Sequence, residues 1–135
     1  MWIYLILMVA LVIIDQVIKA AIVSHIALGA STSIVTGLLS LTNLHNNGAA
    51  WSILEGKMWF FYLISVIALI VMGYLLWRLR GKWLYEVGIS LMIAGTLGNF
   101  IDRLRIGYVV DMFQLDFINF PIFNVADIYV VVACI

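Results

Sequence analysis

The stretch Met58–Trp77, MWFFYLISVIALIVMGYLLW, has no charged residue in twenty positions and is bracketed by Lys57 and Arg78. A helix needs roughly 20 mostly apolar residues to cross the hydrocarbon core of a bilayer. Because both the length and the composition of the stretch meet that requirement, it predicts a membrane-spanning helix. This one segment decides the class of fold.

Three further apolar runs extend that prediction to the rest of the chain. They are Trp2–Ile14 (resuming after Asp15 and Lys19 as far as Val23), Trp83–Ile101 and Phe120–Ile135. We therefore expect an all-α integral membrane protein with four transmembrane helices, the fourth cut short at Ile135. The short chain predicts a single membrane-embedded domain over residues 1–135.

The overall composition supports the membrane class and excludes several others. Of the 135 residues, 66% are hydrophobic and 10% are charged, whereas soluble domains average about 45–50% apolar and about 25% charged residues. The net charge is zero, so no basic field predicts a nucleic-acid partner. The only cysteine, Cys134, excludes an internal disulfide. His25 and His45 lack a metal-ligand spacing, so we expect neither a metal nor another cofactor.

The segment after the first apolar run has a different pattern. Ser31–Asn43 (STSIVTGLLSLTN) mixes β-branched and polar residues with Gly37, which is typical of short strands. We expect a small extracytoplasmic β-sheet region between helices 1 and 2.

The orientation in the membrane follows from a short basic loop. Residues 78–82, RLRGK, contain three basic residues in five, and the positive-inside rule places such a loop in the cytoplasm. Residues from about 20 to 57 and from about 103 to 120 then lie on the outer side. The unusual polar residues gather there from four separate segments, which is typical of a functional site. They are Asp15, Lys19, Asn99, Asp102, Arg103, Asp111, Asn124 and Asp127.

Two aspartates in this group have apolar neighbours and no adjacent basic residue, namely Asp111 and Asp127. Burial raises the pKa of a carboxyl group, and two neighbouring carboxyl groups share a proton. Aspartic proteases use that arrangement. The residues alone leave two alternatives open: unrelated interfacial aspartates, and a proton relay in a transporter.

The remaining charged residues have structural interpretations. Asp15 and Lys19 have the i,i+4 spacing of an ion pair at a helix end. The Asp102–Arg105 segment fits either an interfacial anchor or a substrate contact. Asp102 competes with Asp111 as a catalytic candidate, but Arg103 and Arg105 would keep it ionised, which suits an orienting role better.

Four blocks of the sequence, in order, resemble the lipoprotein signal peptidases (signal peptidase II). They are Asp15-Gln-Val-Ile-Lys19, Asn46-Asn-Gly-Ala-Ala-Trp51, Ala94-Gly-Thr-Leu-Gly-Asn-Phe-Ile-Asp-Arg103 with Gly107-Tyr-Val-Val-Asp111, and Phe123-Asn-Val-Ala-Asp127. They cover residues 15 to 127. Each block alone is weak evidence, whereas four in order on this hydropathy profile are a specific match.

The resemblance implies a multi-pass aspartyl endopeptidase of the bacterial cytoplasmic membrane, with its active site near the extracytoplasmic face and no metal. Its substrate would be a prolipoprotein, cut just before the diacylglyceryl-modified cysteine. Membrane lipids and globomycin-type inhibitors are the other expected partners, and we expect a monomer.

The resemblance also assigns roles to individual residues. Asp111 and Asp127 match the catalytic pair. The substrate-binding positions are Asn46, Gly95, Asn99, Arg103 and Asn124. Asp15 and Lys19 match a supporting position, to which we add Asp102.

A small proton-coupled transporter or channel subunit is the alternative function. It predicts polar residues distributed through the depth of the bilayer, whereas here they gather on one side. The sequence therefore favours the peptidase.

Overall fold

A computed structural model describes the backbone of residues 1–135 and every side chain except that of Ser52. Four α-helices and three β-strands follow one another along the chain. In order they are α1 (Trp2–His25), β1 (Ser31–Val35), β2 (Leu39–Asn46), α2 (Met58–Arg78), α3 (Trp83–Ile106), β3 (Val109–Leu115) and α4 (Val125–Ala133). A short 3-10 turn, Ala50–Ser52, precedes α2.

Three of the helices, α1, α2 and α3, are long and apolar enough to cross a membrane. Helix α2 coincides with the predicted stretch and adds only Arg78 at its end. Helix α1 continues without a break through Asp15 and Lys19, both of which are buried. The chain tolerates these charges in a membrane helix because they face the protein interior rather than lipid.

The predicted count of four transmembrane helices is not confirmed. Helix α4 has nine residues, too few to cross a bilayer of about 30 Å. The start of the predicted fourth run is extended instead, because Pro121 lacks an amide hydrogen and disfavours a helix before it. Phe123 then exchanges backbone hydrogen bonds of 2.8 and 3.1 Å with Phe113, and α4 begins only after Asn124.

The small sheet is confirmed between α1 and α2, but it has one strand more than the sequence predicted. Strands β1, β2 and β3 form an antiparallel sheet in that order. Strand β3 lies in the outer segment from about residue 103 to 120, for which the sequence predicts no strand, although its residues VVDMFQL are rich in β-branched and apolar side chains. The register pairs Leu44 with Asp111 and Asn46 with Val109, which brings Asn46 beside Asp111.

Helix α3 lies at the centre of the fold and packs against α1, α2 and α4. Glycines permit the closest approaches: a Cβ on Gly95 would overlap the carbonyl oxygen of Ala126 in α4, and a Cβ on Gly98 would contact the carboxylate of Asp15 in α1. The main buried cluster joins α1, α3, β3 and α4 beneath the site described below. Its members are Ile22, Ala94, Val110, Met112, Val125 and Tyr129.

Candidate active site

A cavity of about 590 Å³ opens where the last turns of α3, the first turns of α4, and strands β2 and β3 meet. One wall is polar and comprises Asn46, Asn99, Arg103, Asp111, Asn124 and Asp127. The rest of the lining, its apolar wall, includes Leu115, Phe120, Ile122, Phe123, Ile128 and Val131. The structure therefore brings together most of the predicted site residues, including both aspartates and all three asparagines.

Asp111 lies in β3 with 2% of its surface exposed. Its Oδ2 accepts a hydrogen bond of 2.9 Å from Asn46 Nδ2, and its Oδ1 accepts one of 2.7 Å from Asn124 Nδ2. Burial raises the pKa of Asp111 to about 7, and the negative charge of Asp127 acts in the same direction. The hydrogen bonds from Asn46 and Asn124 oppose that rise in pKa. Asp111 therefore titrates near neutral pH and is mostly protonated below it.

Asp127 lies in the first turn of α4, where its position is fixed by a capping box. Asn124 Oδ1 accepts a hydrogen bond from the backbone amide of Asp127, and Asp127 Oδ2 accepts one from that of Asn124, each 3.0 Å long. The other carboxylate oxygen, Oδ1, accepts a bond of 2.9 Å from Asn99 Nδ2. The positive end of the helix dipole stabilises negative charge here.

Asn124 connects the two aspartates, because it caps Asp127 and donates to Asp111. It is fully buried. Each of the four carboxylate oxygens of Asp111 and Asp127 accepts a hydrogen bond from an amide N–H group. Such a donor set fixes the planes of both carboxyl groups and orients them toward the same cavity.

A buried ion-pair cluster lies behind this polar wall. The predicted pair of Asp15 and Lys19 is confirmed at 2.9 Å, and Lys19 Nζ also lies 2.9 Å from Asp102 Oδ2. Asp102 is fully buried and accepts a hydrogen bond of 3.2 Å from the backbone amide of Val110. It therefore anchors the start of β3 from behind and does not line the cavity.

We expected the charges of Arg103 and Arg105 to keep Asp102 ionised, and the structure adds Lys19 as its ion-pair partner. Asp102 faces α1 and pairs with Lys19, whereas Arg103 lines the cavity and Arg105 is exposed. Successive helix residues point in different directions, so proximity in sequence did not indicate contact.

Arg103 holds the rim of the cavity. Its Nη2 donates a hydrogen bond of 3.3 Å to the carbonyl oxygen of Gly48, and its guanidinium carbon lies 4.5 Å from the ring centroid of Phe61. Its Nε is buried and has no hydrogen-bond partner among the described residues. Arg103 therefore brings a positive charge to the wall that carries the two aspartates.

Gly95 is the one predicted substrate-binding residue that does not line the cavity. It faces α4, where a Cβ would overlap the carbonyl oxygen of Ala126 and lie 2.8 Å from Val130. These surroundings indicate helix packing rather than substrate contact. The residue supports the site by allowing α4 to approach α3.

The sequence interpretation missed two contributions to the site. Gln16 donates hydrogen bonds to Asp102 (3.0 Å) and to the carbonyl oxygen of Gly98 (3.2 Å). Its position between Asp15 and Lys19 in the first block was the available signal. The apolar wall was also missed, because residues 115–123 differ little in composition from the membrane helices around them.

The fold and the site define a membrane enzyme, and comparison with known proteins identifies its family. The family described as Signal peptidase (SPase) II matches residues 7–135. Over 127 residues the chain is 99% identical to the lipoprotein signal peptidase of Lactiplantibacillus plantarum, covering 94% of this chain and 85% of that protein. It is 54% identical to the lipoprotein signal peptidase of Enterococcus faecalis, covering 98% and 83%.

Solved structures agree with these relatives. A bacterial membrane enzyme determined by the in meso method at 2.3 Å resolution superposes with a TM-score of 0.91 at 39% identity, covering 99% of this chain and 84% of that one. A second such structure, at 1.9 Å resolution, has a TM-score of 0.88 at 39% identity and covers 99% and 88%.

The chain belongs to the signal peptidase II family. Its function is that of a lipoprotein signal peptidase, a protease, and it is a bacterial membrane protein. The prediction made from the four blocks is therefore confirmed, and the peptidase takes precedence over the proton-coupled transporter.

Proposed function

We propose that Asp111 and Asp127 are the catalytic pair of this peptidase. The observation that carries the proposal is the position of Asn124, whose single side chain contacts Asp111 and caps Asp127 on one wall of the cavity. Two carboxyl groups arranged in this way share one proton, as in other aspartic proteases.

The chemistry follows from the proton shared by the pair. The carboxylate of the pair takes a proton from a water molecule, whose oxygen attacks the peptide carbonyl carbon before the modified cysteine. The protonated carboxyl group donates to the carbonyl oxygen as negative charge develops there. Collapse of the tetrahedral intermediate breaks the C–N bond, and the amine leaves with a proton supplied by the pair. The raised pKa of Asp111 supports its assignment as the residue that starts with the proton.

The two walls of the cavity suit two parts of a prolipoprotein. The polar groups of Asn46, Asn99, Arg103 and Asn124 offer hydrogen bonds to an extended substrate backbone. The apolar wall is available to the diacylglyceryl chains on the cysteine. Because the far ends of those chains remain in lipid, the membrane itself helps to position the scissile bond at the depth of the aspartates.

We place the cavity at the extracytoplasmic face of the bacterial cytoplasmic membrane. The basic loop at residues 78–82 joins α2 to α3, at the opposite end of α3 from Asn99 and Arg103. If the basic loop is cytoplasmic, the cavity faces outward. In this arrangement the chain acts as one peptidase domain and as a monomer. Globomycin-type inhibitors compete for the same cavity.

The test is cleavage of a diacylglyceryl-modified prolipoprotein peptide by the purified protein in detergent. Asp111→Asn and Asp127→Asn should each abolish turnover while leaving the chain folded. The matched control is Asp116→Asn, an exposed aspartate just after β3 that bonds to Ser40 outside the cavity. That variant should retain wild-type turnover. Near-full activity in either Asp111→Asn or Asp127→Asn would show that the pair is wrongly assigned.

A further inference from the structure

One lysine that contacts neither proposed catalytic carboxyl group is connected to both of them. Besides its ion pairs with Asp15 and Asp102, Lys19 Nζ donates a hydrogen bond of 3.1 Å to Asn99 Oδ1. An ammonium group has three N–H donors and no acceptor, so these three oxygens occupy all of its donors. Because the ammonium bonds only to the oxygen of an amide, the Asn99 amide is held with its NH2 group turned away.

The fixed direction of the Asn99 amide determines whether Asp127 faces its NH2 group or its oxygen. Asn99 Nδ2 donates 2.9 Å to Asp127 Oδ1. A reversed amide would place its oxygen against the Asp127 carboxylate and its NH2 group against the Lys19 ammonium, and both contacts are repulsive. The charge of Lys19 therefore selects the amide orientation that supports Asp127.

The orientation of the Asn99 amide also constrains the side-chain amide of Asn124. Asn124 Nδ2 donates to Asn99 Oδ1 at 3.0 Å and to Asp111 Oδ1 at 2.7 Å. Asn99 presents its oxygen to Asn124 as well as to Lys19, so Asn124 must present its NH2 group, the same direction that its bond from the Asp127 backbone amide requires. The same NH2 group donates the hydrogen bond that Asp111 Oδ1 accepts.

We propose that Lys19 is a positioning residue for peptide cleavage. It fixes the direction of the Asn99–Asn124 amide pair and thereby the orientation of Asp127 and Asp111. This inference rests on the proposed catalytic pair. Two of the three bonds of the Lys19 ammonium neutralise Asp15 and Asp102. The third bond, to Asn99, connects the ion-pair cluster to the site. Supporting residues of this kind hold catalytic groups in their productive geometry.

A double-mutant cycle tests the proposal. Lys19→Met removes the ammonium, Asn99→Ala removes the amide, and the combined variant removes both. Using the lipidated peptide, kcat and KM are measured per folded molecule. Lys19→Met should lower kcat by about 10- to 100-fold and change KM by less than about threefold, because small misplacements of catalytic groups cost rate. The combined variant should be no more than about twofold slower than Asn99→Ala, since Lys19 acts through Asn99. If the kcat losses of Lys19→Met and Asn99→Ala multiply in the combined variant, the two residues act independently and the proposal is overturned.

A charge-matched background separates positioning from folding. Lys19→Met leaves Asp15 and Asp102 buried without their cation, which is destabilising. In an Asp102→Asn background, the Lys19→Met chain has one net negative charge in the cluster, as in the native chain, and should fold. Its kcat should still fall about tenfold or more below that of Asp102→Asn alone. Equal kcat values, or failure of this chain to fold, would assign Lys19 to the fold only and overturn the proposal.

Two further variants separate this inference from the proposed function. Tyr129→Phe removes the hydrogen bond of 3.1 Å between α4 and the carbonyl oxygen of Leu11 in α1, so it reports on loosened packing between these helices. Its kcat should stay within about twofold of the native value, because a neutral hydrogen bond contributes only modestly to stability. Peptide cleavage by Asp111→Asn or Asp127→Asn would show that these aspartates are not the catalytic pair, and would overturn the proposed function. If both aspartate variants are inactive but the kcat losses of Lys19→Met and Asn99→Ala multiply in the combined variant, the catalytic pair stands and only the role of Lys19 is overturned.

Discussion

The carboxylate of Asp15 accepts a hydrogen bond of 3.0 Å from the backbone amide of Ala126, 111 positions further along the chain. The first amides of a helix have no partner within it, so Asp15 acts as a cap on α4 that is supplied by α1. The bond fixes the first turn of α4, and with it Asn124 and Asp127, against the ion-pair cluster.

Asp15→Ala should strongly destabilise the fold. It leaves the Ala126 amide without its acceptor and Lys19 with one counter-ion, and breaking a buried pair costs about 3–5 kcal/mol of unfolding free energy. Asp15→Asn keeps an acceptor oxygen and should lose less. Thermal unfolding in detergent should therefore rank the melting temperatures as native, then Asp15→Asn, then Asp15→Ala. Equal melting temperatures for the two variants would show that the cap contributes nothing.

The pH dependence of cleavage should report the pKa of Asp111. Because burial raises that pKa to about 7, the proton needed on the carbonyl oxygen is lost above about pH 7, and kcat/KM should fall on the alkaline side. Asn46→Leu removes a hydrogen bond that lowers the pKa of Asp111. The alkaline limb of this variant should therefore move to higher pH. A limb that stays in place, or moves to lower pH, would contradict the assignment of Asp111 as the acid.

The stability of the fold should respond to the same titration. A carboxyl group whose pKa is raised in the folded state binds its proton more tightly there than in the unfolded chain. Its contribution to stability is therefore present below the ordinary value of 3.8 and is lost as the pH rises through about 7. The unfolding free energy of the native chain should fall between these values, relative to that of Asp111→Asn. A difference between the two proteins that does not vary with pH would contradict the raised pKa.

Two glycines of the membrane helices should respond in opposite ways to the same substitution. Gly95→Ala places a methyl group against the backbone carbonyl of Ala126, which cannot yield without moving α4, and overpacking of this kind costs about 1–3 kcal/mol. Gly73→Ala on α2 meets nothing within 4 Å and gains helix propensity, so its stability should be unchanged or higher. Unfolding measured in detergent for both variants compares them directly. Equal stabilities would show that α3 and α4 are not in close contact at Gly95.

The sequence predicted the parts of this fold that depend on local composition. Helix α2 follows from an uncharged apolar run of the right length, and the strands predicted within Ser31–Asn43 follow from β-branched and polar residues with Gly37, although β2 continues to Asn46. The two aspartates were recognisable because each is isolated among apolar residues, and because the surrounding blocks resemble a known family.

What the sequence did not reveal depends on contacts between distant segments. The pairing of Asp102 with Lys19 requires α1 and α3 to be adjacent, and no local pattern gives that. Strand β3 escaped detection because it pairs with a strand more than sixty residues earlier. The composition around Gly95 is typical of close helix packing, but the sequence did not show that its partner is α4 at Ala126.

Arg103 and Arg105 offer a final comparison, because they are alike in sequence and differ in surroundings. The Arg103 guanidinium packs on the face of Phe61 and donates to the Gly48 carbonyl at the cavity rim, whereas Arg105 is exposed. Lysine keeps the positive charge but loses the planar stacking and the second donor group. Arg103→Lys should therefore raise KM for the lipidated peptide by about tenfold, because a rim that is no longer held by these contacts must be ordered when the substrate binds.

The matched variant Arg105→Lys should leave both KM and kcat unchanged, because its side chain is solvated in either form. Steady-state kinetics on the two proteins, with thermal unfolding as the check on folding, make the comparison. An unchanged KM in Arg103→Lys would mean that the rim geometry at Gly48 is not part of substrate binding. A similar rise in both variants would mean that the effect of Arg103→Lys does not come from the contacts of Arg103 with Phe61 and Gly48, because exposed Arg105 has neither contact.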